Sequence, residues 1–174
     1  KIHLVPFGEY VPFEKYISFL RKYIDKPIGA FTPSDEFTLF TASSVDSYEV
    51  KPGKISRTIF FYKLGVMICF EDIFPYIARG FVSDGADVLV NITNDAWFGR
   101  TAAAEQHLIS SVFRAVETRV PVVRAANTGI SCFIDGAGRV LARVSEGNRY
   151  TAVFIFLVSA ILSVIVLVRA GSGG

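Results

Sequence analysis

The chain is poor in the residues that staple or metallate small folds. Its 174 residues include two cysteines, Cys69 and Cys132, and single copies of Met and Trp. Two cysteines are too few for a disulfide framework, and they lack metal-ligand spacing. One disulfide between them stays open. Each lies in an apolar run, where a cysteine is ordinarily a small buried hydrophobe. Charge of one sign is missing as well: 18 Lys and Arg against 16 Asp and Glu leave a net charge of +2, spread along the chain. With no basic block, low-complexity tract or internal repeat, nothing points to nucleic acid, so no nucleic-acid partner is expected.

One long apolar run stands out. Thr151–Val168, "TAVFIFLVSAILSVIVLV", carries no charge over 18 residues and is interrupted by Thr151, Ser159 and Ser163. As a helix it would be ~27 Å long, close to a bilayer's hydrocarbon thickness. A buried core helix is the other reading, but such helices rarely run so far without charge. A transmembrane helix over 149–169 is therefore expected. Arg149 and Tyr150 would sit at one interface and Arg169 at the other, so loop charge does not fix the orientation. Residues 170–174, "AGSGG", read as a flexible tail.

The remaining pattern alternates strand and helix. Phe13, Tyr16, Ile17, Leu20 and Ile24 share one helical face, which Pro27 ends. Residues 29–58 are polar and read as loop with short edge strands. Three continuous apolar runs, 63–70, 86–93 and 120–128, suit strands buried on both faces. Helices are expected between them, over Phe74–Ser83 and Ala102–Thr118; Leu108, Val112 and Val116 form the stripe of the second. Asp135-Gly136-Ala137-Gly138 is turn chemistry, so "CFIDGAGRVLARV" reads as a hairpin. This order predicts an α/β domain, residues 1–148, with a largely buried sheet.

Three strand ends carry polar residues. Cys69 closes the first apolar run and is followed by Glu71, Asp72 and a helix. α/β folds place ligands at such ends, where a helix N-terminus and a nearby cation lower a thiol's pKa. Cys132 has no such neighbours and reads as structural. "NDAWFG", 94–99, follows the second run and holds Trp97. "RAANTG", 124–129, follows the third. Together they suggest a shared rim. Lys1, His3 and Glu9 at the chain's start read, on spacing alone, as a strand end with solvated charges; a site wall is the alternative.

Taken in order, "KIHLVPFGEYVP", "MICFEDIFP", "NITNDAWFG", the His107–Arg114 helix and "RAANTGISCFID" resemble the nitrilase superfamily over residues 1–142. Within it they are most similar to the apolipoprotein N-acyltransferases of bacterial inner membranes. The resemblance implies a four-layer α/β-β/α sandwich, present here in part, and a Glu-Lys-Cys triad. Its Lys falls on Lys1 and its nucleophile on Cys69, with the Phe70 N–H as an oxyanion donor. Glu9 and Glu71 match supporting acidic positions. Trp97, Asn94 and Asn127 fall on substrate-facing loops. No cofactor or metal is implied.

The implied reaction is ping-pong acyl transfer. Cys69 takes an acyl chain from a phospholipid as a thioester and passes it to the amine of a diacylglyceryl-cysteine at a lipoprotein's N-terminus. The implied setting is the bacterial inner membrane, with the catalytic domain on the extracytoplasmic side. The triad Glu lies upstream of the Lys in this family and matches no residue here, so the chain is expected to be a fragment, inactive alone. The stretch from Asp46 to Lys54 is longer than usual, and the "SEGNRY" link to the apolar run is shorter. Two other readings remain: an amidase hydrolysing small amides, and a non-catalytic membrane-anchored remnant.

Overall fold

The computed structural model describes residues 1–6, 8–10, 12, 31–51, 54–99 and 101–144. The apolar run Thr151–Val168 and the Phe13–Ile24 helix lie outside the described residues. Among the described residues, no helix is long and apolar enough to cross a membrane.

Among the described residues, six strands form one sheet in chain order: β1 (Leu39–Lys51), β2 (Lys54–Ile68), β3 (Val88–Thr93), β4 (Val122–Ala126), β5 (Ser131–Ile134) and β6 (Val140–Val144). β2, β3 and β4 run parallel, with Leu64 opposite Val88 and Leu89 opposite Val122. The outer pairs are antiparallel. Helix α1 (Pro75–Ser83) joins β2 to β3, and α2 (Ala103–Thr118) joins β3 to β4. Parallel strands require such crossovers. Pro75 opens α1 at a position where its missing N–H is no loss.

Both helices cover one face of the sheet. Side chains alternate along a strand, so Met67, Leu89 and Val122 face the helices and meet Ile77, Phe81, Leu108 and Ala115. Gly65 lets α1 approach: a Cβ there would lie 2.7 Å from the Phe81 side chain. Val88, Val123 and Phe133 cluster on the opposite face with Leu64 and Val90. The result is a mixed α/β fold in which helices lie on a six-stranded sheet.

The expected loop at 29–58 needs correction. It holds β1 and the first third of β2, strands of 13 and 15 residues that pair from Leu39↔Gly65 to Lys51↔Lys54. Residues 41–58 are largely polar, so hydrophobic patterning is weak there. The backbone pairing of the two strands defines the hairpin instead. The expected strand at 63–70 thus starts earlier, and it ends at Ile68. Cys69 and Phe70 belong to a 3-10 turn, Cys69–Ile73, that precedes α1.

Candidate active site

The parallel strands bring three polar segments to one edge. β2 ends at the Cys69 turn. β3 ends at Asn94, followed by a second 3-10 turn, Asp95–Phe98, that carries Trp97. β4 ends at Ala126, just before Asn127. The segments are tied together: the Asn127 N–H donates to the Thr93 carbonyl at 2.9 Å, and Thr128 Oγ1 donates to Asn94 Oδ1 at 2.6 Å. Asn94 Oδ1 also accepts from the Ala96 N–H at 3.3 Å, capping the turn. Asn94 therefore shapes the rim, while the Trp97 ring is 74% exposed on it.

Cys69 is half-buried and its φ is 57°, in the left-handed region. L-residues stay there where their surroundings hold them. The Asn91 side-chain N–H donates to the Cys69 carbonyl at 2.9 Å. The Phe70 ring stacks on His107, with centroids 5.1 Å apart.

The N-terminal segment joins this turn through Glu71. One Glu71 oxygen accepts from the Ile2 and His3 N–H groups at 2.5 and 2.9 Å. The other accepts from the Ile68 N–H at 2.7 Å. A carboxylate two residues after Cys69 thereby holds the segment beginning at Lys1. Lys1 Nζ donates to both Glu9 oxygens at 2.6 Å, and Glu9 also accepts from the Val5 N–H at 2.8 Å. Lys1 and Glu9 are paired and largely shielded, with side chains 10% and 27% exposed. The two are therefore not the solvated charges that spacing alone suggests. A cavity of about 320 Å³ lies beside Lys1 and Glu71, walled by Phe40, Val66, Ile68 and Ile92.

Beneath the Cys69 turn lies a charge cluster that the sequence did not announce. Asp72, Asp95, His107 and Arg124 are all buried. His107 Nε2 lies 2.9 Å from Asp72 Oδ1, and its Nδ1 lies 2.9 Å from Asp95 Oδ1. Arg124 donates to Asp72 at 3.0 Å and to Asp95 at 2.9 Å. Ser111 also donates to Asp72. Burial and the adjacent Arg124 oppose charge on His107. The two carboxylates outweigh them and raise its pKa to about 9. Two carboxylates then face two cations, the balance a buried cluster needs. Burial alone would raise the Asp95 pKa. The hydrogen bond from His107 and the charge of Arg124 lower it instead. Gly129, at φ 102°, stands against the Asp95 carboxylate where any Cβ would collide.

The one sequence signal for this cluster was parity and period. Arg124 alternates with apolar residues in a buried strand, and His107 and Ser111 share the helical face of Leu108. Cys132 is buried, and loss of water raises its thiol to about 11 despite Arg124 and Arg143. Both cysteines are free, so the disulfide between them does not form.

Known proteins are similar to this chain in sequence. An apolipoprotein N-acyltransferase of Geobacter metallireducens is 47% identical over 140 residues, covering 80% of this chain and 23% of that protein. Its counterpart from Agrobacterium fabrum is 44% identical over 153 residues, covering 85% of this chain and 25% of that protein. The crystal structure of Saccharomyces cerevisiae Nit3, a member of branch 10 of the nitrilase superfamily, aligns with a TM-score of 0.46 at 20% identity. That alignment covers 68% of this chain and 40% of Nit3. The chain spans about a quarter of the length of the curated relatives it matches. The family model for carbon-nitrogen hydrolases matches residues 1–155, and the chain belongs to that family.

Proposed function

We propose that Cys69 is the nucleophile of an acyl transfer from phospholipid to the N-terminal diacylglyceryl-cysteine amine of lipoproteins. The observation that carries this reading is the Glu71 bridge. It joins the Lys1 segment to the Cys69 turn across 68 residues of chain. A cation, a half-buried thiol and a backbone N–H at Phe70 thus belong to one assembly. The names of the relatives, 47% and 44% identical to this chain, support the choice of acyl acceptor.

In the proposed chemistry, the Cys69 thiolate attacks the ester carbonyl. Lys1 and the Phe70 N–H stabilise the oxyanion. The ester C–O bond breaks, the lysophospholipid leaves with a proton, and a thioester remains. The acceptor amine then attacks, the C–S bond breaks, an amide forms, and the proton lost by the amine returns the departing thiolate to a thiol. A thioester reacts readily with an amine, which suits cysteine to the role. Glu9 holds Lys1 in place, and Glu71 ties the two segments. Trp97, with Asn94 and Asn127 on the adjoining loops, would meet the lipid substrates. No residue of the chain is assigned as the general base.

The same reading makes residues 1–148 part of a nitrilase-like α/β-β/α sandwich and 149–169 a membrane helix ahead of the short tail 170–174. It places the protein at the bacterial inner membrane with its site on the extracytoplasmic side.

The test is a chimera in which residues 1–155 replace the matching segment of the Geobacter relative. It should transfer a labelled acyl chain from phospholipid to a diacylated lipopeptide and leave small amides intact. Amide hydrolysis without transfer to the lipopeptide would turn the reading to an amidase.

A further inference from the structure

We infer that Arg124 is a positioning residue that sets the geometry of the Cys69 turn, acting through Asn91 and Asp72. The inference rests on Cys69 being the nucleophile. Arg124 is fully buried and its guanidinium reaches all three rim segments. Its Nη1 donates to Asp72, inside the Cys69 turn, and to Asn91 Oδ1 at 3.0 Å. Asn91 in turn donates to the Cys69 carbonyl. Nη2 donates to Asp95, which opens the turn carrying Trp97. Nε donates to the Ile130 carbonyl at 3.2 Å, behind the Asn127 connection. One rigid fork therefore fixes the relative positions of three loops, a geometry that a lysine's point charge cannot reproduce.

The burial of four charges argues for a role beyond stability. Well-packed apolar residues often replace such clusters without loss of stability. Here the donors converge on a turn whose first residue is held in the left-handed region. Release of that hold would let Cys69 relax toward ordinary backbone angles and open its half-buried thiol to solvent. Arg124 itself touches no reacting atom.

The test reads thiol accessibility and needs no acyl donor. The full 174-residue chain is treated with iodoacetamide across a pH series, and alkylation is followed peptide by peptide. Asn91→Leu removes the link to the Cys69 carbonyl and leaves the four charges paired. Arg124→Lys keeps the charge and loses the fork. Both variants should alkylate Cys69 about fivefold faster than wild type, the ratio one ordinary hydrogen bond sets. Buried Cys132 should stay slow, reporting an intact core. Cys69 rates within about twofold of wild type, or slower, would overturn the inference. So would equal acceleration of Cys69 and Cys132 in both variants, which would mean that the cluster holds the fold and not the thiol. A released Cys69 in a chain whose chimera forms no acyl adduct would count against acyl transfer alone.

Discussion

Lys1 and Glu9 form a close two-pronged ion pair, and that pairing decides what each can do. An ammonium held on both oxygens cannot wander, so it can be aimed at a developing oxyanion. In the chimera, Lys1→Met should lower thioester formation by about 100-fold. A loss below about tenfold would remove Lys1 from the oxyanion site. The buried quartet makes a second prediction. His107 carries a raised pKa of about 9 in the fold against its ordinary 6.5. A raised folded pKa stabilises the fold fully below pH 6.5 and progressively less as pH climbs through about 9. Melting temperature should therefore fall over that window, and His107→Gln should flatten the decline. The Asp95 shift is opposite in sign, so its contribution is lost in acid, below its ordinary 3.8. An undiminished alkaline limb in His107→Gln would assign the decline to other groups. These residues also mark the limit of sequence reading. Cys69 was legible because it ends an apolar run beside acidic residues. The quartet was not, because its members at 72, 95, 107 and 124 meet only after two crossovers.

Among elements, the parallel strands were legible because burial on both faces demands continuous apolar runs. The hairpin of β1 and β2 was not, since residues 41–58 are largely polar and its pairing is a relation between two segments. The Cys69 turn likewise read as strand, because apolar character does not separate a strand's last residues from the turn behind it. Element packing can be tested at Gly65. A Cβ there would lie 2.7 Å from Phe81 on α1, so Gly65→Ala must move the helix or the strand. The cost expected is about 1–3 kcal/mol in denaturant unfolding. A change near zero would mean that α1 slides freely on the sheet. At the rim, Gly129→Ala meets both a positive φ and the Asp95 carboxylate. It should displace the Asp95–Phe98 turn and shift Trp97 fluorescence.

At the scale of the molecule, the described layers account for one helix-covered face of a sheet. The opposite face presents Leu64, Val66, Ile68, Val90 and Ile92, partly open beside the cavity at Lys1. That open face fits the proposed place of these residues within a larger sandwich. The apolar run Thr151–Val168 supplies the proposed anchor. The full chain should therefore stay with membranes through alkaline carbonate washing, and a chain ending at residue 148 should not. Release of the full chain would contradict the anchor.

The central claim is that Cys69 carries the acyl group. Its most direct test is intact-protein and peptide mass measurement of the chimera after incubation with phospholipid alone. A hydroxylamine-labile adduct of the donor's acyl mass is expected on the peptide containing Cys69, absent in Cys69→Ala. An adduct that survives Cys69→Ala, or its absence in a chimera that still acylates lipopeptide, would contradict it.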